Sequence, residues 1–259
     1  MKAILIIAYG SSLPYATETV NEQAERVRSK CPEPVYTAFD RVNAPTIPDA
    51  LRQMVADGAD DVAVLPLFIA EGIITKEHLP AKLGLKEHRS GKVSINGREI
   101  LIRLGRAVGA DPTVPEVLAE RARQCGSDAN TGVLILGHGS NEPENRSVAN
   151  TAAAAMIKEF PHVTVCFNEF CPPSIEEGLT KLLGEGCEKI TVLPLFIANG
   201  LHLREEIPHK LGLEPGESTG LIERGGKKTM LTYAQPIGAD PLLAKVLVAE
   251  AEQLFAADL

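Results

Sequence analysis

An internal repeat limits what this chain can fold into more than any other feature of its sequence. Three segments recur 128 or 129 residues further along: VLPLFIA (64–70 and 192–198), KLGL (82–85 and 210–213) and VGADP or IGADP (108–112 and 237–241). Because the offset stays nearly constant over half of the chain, we interpret it as a duplication. The predicted domains are therefore 1–127 and 128–259, joined near the polar segment CGSDANTG.

The pattern within each half predicts the fold class. In the first half, the apolar runs AILIIA, VYTAF, DDVAVLPLF and EILIRL alternate with segments of helical periodicity. Short, fully apolar strands separated by helices are typical of a parallel sheet covered on both faces. With right-handed crossovers, the pattern predicts an α/β protein with two similar doubly wound domains, each with a four-stranded parallel sheet.

Composition and charge restrict the classes of partner. The 259 residues carry a formal net charge of −8, which argues against a nucleic-acid or anionic-membrane partner. The longest apolar runs are too short to cross a bilayer, and the N-terminus turns polar too early for a signal peptide, so we expect a cytoplasmic protein. Five cysteines without a CxxC pair give no support for an iron–sulfur cluster. Because one chain contains both halves, a monomer is sufficient to form the molecule, and an oligomer is left as an alternative.

The two halves differ at the ends of their first three strands. The aligned pairs are Tyr9 and His138, Arg41 and Glu169, and Ile74 and His202. Ligands of such sheets bind beyond the carboxyl ends of the strands. Two imidazoles and a carboxylate can hold a divalent metal such as Fe, Co, Ni or Zn, and a neutral imidazole can also accept a proton. His138, Glu169 and His202 are thus the candidate metal and catalytic residues, whereas either histidine alone would be read as an ordinary loop residue.

Both halves keep a Gly-Ser turn after the first strand, which brings in Ser11 and Ser140. We expect these serines to cap the following helices, and the same turns could offer backbone N–H groups to a carboxylate. The segment GHGSNE lacks the third glycine of a dinucleotide fingerprint, and no P-loop or GxSxG elbow is present. The sequence therefore gives no anchor for an organic cofactor or a hydrolase triad.

Two further features allow more than one interpretation. On a helix, His202, Glu206 and His209 would share one stripe, which could feed metal or protons to the site or simply be a solvated face. Cys171 shares strand parity with Glu169 and could line the same pocket, but burial explains it better.

Taken together, these motifs resemble the class II tetrapyrrole chelatases of the CbiX and SirB type. The resemblance rests on the order of four blocks over nearly the whole chain: GHGS after a strand, FNEFCPPSI, VLPLFIA followed by GLH and EIP, and GADP before the last helix. It implies two similar halves that enclose a cleft for a macrocycle, with paired histidines that bind metal and accept protons. It also implies insertion of Co²⁺ or Fe²⁺ into sirohydrochlorin, on the way to cobalamin or sirohaem.

The chain departs from the long members of this family, in which the N-terminal half is expected to carry the working histidines. Tyr9 and Ile74 stand there instead, so the family site carries over only to His138, Glu169 and His202. Tyr9 and Arg41 would then contact the ring or its carboxylates. The divalent metal is a substrate, and no organic cofactor is needed. Two alternatives stay open: a chelatase for another tetrapyrrole or for nickel, and a non-catalytic tetrapyrrole or metal carrier.

Overall fold

A computed structural model describes residues 1–85, 89–140, 143–198, 200, 202–214 and 216–257. It contains two compact units, one formed by Met1–Asp111 with Ala239–Leu259 and the other by Pro112–Gly238. Each unit holds a single mostly parallel sheet flanked by helices. The predicted α/β class and the repeated architecture are thereby confirmed.

Within the described residues, ten strands and eight α-helices follow the repeat. The strands are β1 (Lys2–Ala8), β2 (Val35–Phe39), β3 (Asp61–Pro66), β4 (Ser90–Ile95), β5 (Arg98–Leu104), β6 (Gly132–Gly137), β7 (Val163–Phe167), β8 (Lys189–Pro194), β9 (Thr219–Arg224) and β10 (Lys227–Tyr233). The helices are α1 (Pro14–Arg28), α2 (Ile47–Ala56), α3 (Leu79–Lys82), α4 (Val114–Gln124), α5 (Pro143–Met156), α6 (Ile175–Gly184), α7 (Ile207–Leu211) and α8 (Pro241–Ala256). A π-helical turn precedes α3 at Ile74–His78, and another precedes α7 at His202–Glu206.

The two sheets have the same topology. Their strand orders are β2-β1-β3-β5-β4 and β7-β6-β8-β10-β9. Strands β1 and β6 each pair in parallel with neighbours on both sides, and nearly all of their residues are buried. This burial on both faces explains why they read as unbroken apolar runs.

Each sheet has five strands, so the predicted number of four is one too low. The additional strands β4 and β9 lie at the sheet edge and run antiparallel to β5 and β10. Their residues SGKVSI and TGLIER are mostly polar and include half-exposed or exposed positions. An edge strand with one solvated face has no continuous apolar run, and the search for such runs therefore missed both.

The compact units divide the chain differently from the sequence repeat, because each unit contains the last helix of the other half. Helix α8 packs on α1 and β3, whereas α4 packs on α5. The Arg103 guanidinium donates hydrogen bonds to the carbonyl oxygens of Leu254 (2.9 Å) and Ala257 (2.7 Å). The domain bounds 1–127 and 128–259 describe the sequence repeat and stay a prediction. In the packed units, α8 belongs to the first unit and α4 to the second.

Candidate metal site

The predicted site residues follow three neighbouring parallel strands of the second unit. His138 comes directly after β6, Glu169 lies two residues after β7, and His202 opens the π-helical turn that follows β8. Because β7, β6 and β8 are adjacent and parallel, their carboxyl ends meet at one edge of the sheet. Packing of the strands thus brings all three side chains to the same place.

A glycine turn joins the ends of β6 and β7. Gly139 has a φ of +93°, and a Cβ atom there would lie 1.9 Å from the Glu169 carbonyl oxygen. The Glu169 N–H donates a hydrogen bond to the His138 carbonyl oxygen at 2.9 Å. In the first unit, Gly10 has a φ of +90°, and a Cβ atom there would lie 2.0 Å from the Arg41 carbonyl oxygen. The repeated Gly-Ser turn is therefore a requirement of the backbone, whether or not a histidine is present.

The two imidazoles of the site are neighbours. The ring centroids of His138 and His202 are 5.6 Å apart, and the rings are nearly perpendicular. Phe170 stacks on His138 with a centroid distance of 5.8 Å, and Phe196 lies on another side at 6.1 Å. His138 is thus held between aromatic rings beside the second imidazole.

Two carboxylates approach His202. Its Nδ1 atom lies 3.9 Å from Glu169 Oε1 and is hydrogen-bonded to Glu206 Oε2. Within the described residues, ligand atoms of Glu169, His202 and Glu206 come within 4.8 Å of one another, which is close enough to hold one metal ion. Two of the three predicted ligands belong to this cluster, and His138 stands beside it. Glu206 was absent from the predicted set, although its spacing of four residues from His202 was the available signal.

Charged and polar neighbours stabilise the negative form of Glu206. Lys210 Nζ lies 2.5 Å from Glu206 Oε1, and the Asn168 amide donates to the same oxygen at 3.4 Å. The hydrogen bond from Lys210 has the largest effect on the Glu206 carboxylate, followed by the one from His202. Together they lower the pKa of Glu206 to about 2. The carboxylate is consequently charged at neutral pH.

The site is open to solvent. The side chains of Glu169 and His202 are 33% and 45% exposed. An ion from solvent can therefore reach both side chains.

The equivalent place in the first unit carries Tyr9, Arg41 and Ile74. The Arg41 guanidinium lies 5.5 Å from the centroid of the Tyr9 ring, within the range of a cation–π contact. Tyr9 is 45% exposed and Val42 is 74% exposed, whereas Ile74 packs against the core. This strand edge offers apolar surface and a positive charge in place of metal ligands.

The structure places the two predicted serines at the glycine turns. The Ser11 N–H donates to Asn43 Oδ1 at 2.6 Å, and Ser11 Oγ accepts from the Leu13 N–H at 3.2 Å. Leu13 is the N-cap residue of α1, so the expectation that Ser11 caps this helix is wrong. The half-buried Ser140 follows Gly139 directly. Its capping role stays a prediction, because residues 141–142 lie outside the described ones.

The remaining candidates lie around the site. Cys171 is half-buried, and its N–H donates to the Glu169 carbonyl oxygen at 2.8 Å. His209 is exposed on α7. Neither belongs to the cluster of ligand atoms found among the described residues.

Fold and site define a repeated α/β protein with imidazole and carboxylate groups at the strand ends of one unit. The family model of CbiX matches residues 3–125 and 132–254. This chain therefore belongs to the CbiX family, and both halves match it.

Relatives with curated names align with about half of the chain. The sirohydrochlorin cobaltochelatase of Saccharolobus solfataricus is 37% identical over 124 residues, which are 48% of this chain and 95% of the relative. The enzyme of the same name from Methanosarcina acetivorans is 36% identical over 118 residues, 45% of this chain and 90% of the relative. The relatives thus correspond in length to one half of this protein.

Solved structures share the two-unit fold. SirB from Bacillus subtilis, determined with Fe³⁺, has a TM-score of 0.76 at 20% identity and covers 98% of this chain and 96% of its own. CbiX, described as the terminal enzyme for biosynthesis of siroheme in denitrifying bacteria, has a TM-score of 0.67 at 20% identity over 99% of this chain and 100% of its own. At this identity the similarity establishes the fold.

No helix in the described part of the chain has both the length and the apolar character that a bilayer crossing requires.

Proposed function

We propose that this protein is a tetrapyrrole metal chelatase that inserts Co²⁺ or Fe²⁺ into sirohydrochlorin. The observation that carries the proposal is the group of two imidazoles and a carboxylate at adjacent strand ends, in a chain of the CbiX family. The curated relatives named sirohydrochlorin cobaltochelatase support this substrate and this reaction class. In this proposal the metal ion is a substrate, and no organic cofactor takes part.

The chemistry requires groups that bind a metal and groups that accept protons. Metal insertion removes two pyrrole N–H protons and exchanges the outer ligands of the ion for ring nitrogens. His138 and His202 are assigned to hold the ion and to take these protons, since a neutral imidazole has a lone pair suited to either task. Glu169 is assigned as the third ligand or as a proton relay, because its carboxylate lies 3.9 Å from His202 Nδ1.

The first unit and the glycine turns are assigned to the macrocycle. The exposed ring of Tyr9 offers a flat apolar contact, and Arg41 offers a cation for a ring carboxylate. At the turns, Ser11 and Ser140 could contribute polar contacts to the carboxylates. The half without the paired histidines would thus bind substrate rather than metal.

The choice of metal and the setting of the reaction belong to the same proposal. Imidazole and carboxylate ligands suit Co²⁺, Fe²⁺ and Ni²⁺, so cellular supply is expected to decide between them. We place the reaction in the cytoplasm, without a nucleic-acid or membrane partner, and one chain contains all the assigned groups.

A turnover assay tests the proposal. The purified protein is mixed with an excess of sirohydrochlorin and of Co²⁺, Fe²⁺ or Ni²⁺, and the absorption change is followed. Many product molecules per chain would support a chelatase, and the fastest ion would identify the preferred metal. A change that stops at one equivalent per chain would instead indicate the carrier, and turnover with a different tetrapyrrole alone would reassign the substrate.

A further inference from the structure

The two carboxylates near His202 are in different chemical situations. Both oxygen atoms of Glu206 are occupied: Oε2 by the imidazole Nδ1, and Oε1 by the Lys210 ammonium at 2.5 Å and the Asn168 amide at 3.4 Å. The Glu169 carboxylate makes no hydrogen bond to any described residue, and its one ion pair with a described residue joins Oε1 to His202 Nδ1 at 3.9 Å. One carboxylate is therefore free to bind an ion, and the other is already engaged.

The neighbours of Glu206 hold it in a fixed position. Lys210 Nζ also donates to Asn168 Oδ1 at 2.9 Å, which closes a ring of contacts among the three side chains. Asn168 is anchored in turn, because its N–H donates to the Gly137 carbonyl oxygen at 3.0 Å in continuation of the β6–β7 pairing. The orientation of the Glu206 carboxylate is thus tied to the strand end that also carries Glu169.

The first unit shows the same lysine contact, but without a histidine at the position of His202. Lys82 Nζ donates to Asp40 Oδ1 at 2.7 Å, as Lys210 donates to Asn168. The positions that correspond to His202 and Glu206 are there Ile74 and His78, the first and last residues of the equivalent π-helical turn. The lysine contact therefore belongs to the repeated fold, whereas the glutamate occurs together with the histidine.

A carboxylate can only accept a hydrogen bond from an imidazole, so the contact requires the proton of neutral His202 to be on Nδ1. The lone pair is then on Nε2. We propose that Glu206 is a positioning residue that fixes His202 as the Nδ1–H tautomer and so leaves the Nε2 lone pair available to the metal ion and the pyrrole protons. This inference rests on the proposed function and deepens it. The short distances from Glu206 to His202 and Glu169 would alone suggest a metal ligand, whereas the inference gives Glu206 the role of orienting His202.

The tautomer can be observed directly by NMR of the metal-free full chain with ¹⁵N-labelled histidine under mildly alkaline conditions. The His202 signals are assigned from the His202→Asn spectrum. We expect the Nδ1–H pattern in the wild type and in Glu206→Gln, which keeps an acceptor oxygen, and its loss in Glu206→Ala. Glu205→Gln is the matched control, since it removes a charge from an exposed position of the same π-helical turn and should leave the signals unchanged. A wild-type Nε2–H pattern, or an unaltered pattern in Glu206→Ala, would overturn the proposal.

Metal binding and turnover separate a positioning residue from a ligand. Titration with Co²⁺ alone should show a loss of affinity of about 10- to 100-fold in Glu206→Ala, as for other residues that orient a metal-binding histidine, with most of it recovered in Glu206→Gln. In turnover, kcat should fall in Glu206→Ala while KM for the tetrapyrrole stays unchanged. If Glu206→Gln loses as much Co²⁺ affinity as Glu206→Ala, then Glu206 is a ligand and the proposal fails. If neither the wild type nor any variant turns over the tetrapyrrole, the proposed function fails, whereas the tautomer result is unaffected.

Discussion

At the scale of single residues, two glutamates beside His202 differ in their surroundings although they are the same residue type in the sequence. Glu169 and Glu206 both approach His202, but only Glu206 has its oxygens occupied by other side chains. The sequence could predict Glu169 because it differs from the aligned Arg41 at a strand end. For Glu206 the sequence left two roles open, a path for metal or protons and a solvated helix face, because its contacts with Lys210 and Asn168 depend on the folded chain.

The Glu169 carboxylate is expected to contribute to metal binding. Glu169→Gln removes its charge and keeps its shape, so Co²⁺ affinity and turnover should both fall, but less than in His202→Ala. The affinity is measured by titration with Co²⁺ and the turnover by absorption. Unchanged Co²⁺ affinity in Glu169→Gln would remove Glu169 from the ligand set.

Another single-residue contact makes stability depend on pH. The Tyr36 hydroxyl donates to Asp57 Oδ2 at 2.7 Å, and burial together with this carboxylate raises the pKa of Tyr36 to about 12. A raised pKa means that the native state holds this proton more tightly than the unfolded chain does. The stabilisation is therefore complete below about pH 10, the value for an unfolded tyrosine, and is lost as the pH rises towards 12.

Urea unfolding across this alkaline range checks the assignment. The difference in unfolding free energy between wild type and Tyr36→Phe should shrink as the pH rises above about 10. A difference that stays constant up to the alkaline limit would show that the hydrogen bond to Asp57 does not control the proton.

At the scale of elements, the strand-end turns connect the fold to the site. Strands β1 and β3 and their counterparts β6 and β8 could be predicted because nearly all of their residues are buried and apolar. Strands β2 and β5 are less completely buried, and shorter apolar runs indicated them. The edge strands β4 and β9 were missed because their exposed faces are polar. The π-helical turns also escaped prediction, since the segment Lys76–Leu83 has the periodicity of an ordinary helix.

The matched glycines of the two turns provide a test at this scale. Gly139→Ala and Gly10→Ala would each place a Cβ about 2 Å from a backbone oxygen at a positive φ, so both should lower the unfolding free energy by more than about 1 kcal/mol. Only Gly139→Ala should also impair Co²⁺ binding, because its turn positions His138 and Glu169. Thermal unfolding and Co²⁺ titration measure the two effects. Equal loss of Co²⁺ binding in both variants would contradict the assignment of the site to the second unit.

At the scale of the whole molecule, duplication explains why one chain has two sheets of the same topology. The repeat offset predicted the two similar halves, but it could not show that α4 and α8 pack with the opposite halves. The periodicity of a helix predicts which of its faces is buried, and only three-dimensional packing decides which sheet it covers. The sequence therefore located the repeated buried strands, whereas the sheets that α4 and α8 cover became known from the structure.

The exchange of α8 can be tested through the side chain that secures its end. Arg103 is 8% exposed, pairs with Asp61 Oδ1 at 2.8 Å and donates to the carbonyl oxygens of Leu254 and Ala257. Arg103→Met should cost about 2–3 kcal/mol, because it leaves a charged partner and two carbonyl groups without hydrogen bonds.

Hydrogen exchange localises this effect. The amides at the end of α8 should exchange faster in Arg103→Met, whereas Arg98→Met, which loses a single bond to the Val55 carbonyl oxygen, should change them little. Unaltered exchange in α8 would mean that Arg103 does not hold this helix in the first unit.

In the proposed mechanism the second unit carries the metal chemistry and the first unit does not. Multiple-turnover insertion of Co²⁺ into sirohydrochlorin, compared between variants at equivalent strand ends, tests it most directly. We expect His138→Ala and His202→Ala to reduce kcat by orders of magnitude while the circular dichroism spectrum stays native, since these side chains are half-exposed and outside the core. Tyr9→Phe and Ile74→Ala should change KM for the tetrapyrrole at most. Abolished turnover in Tyr9→Phe together with unchanged turnover in His138→Ala would contradict the account.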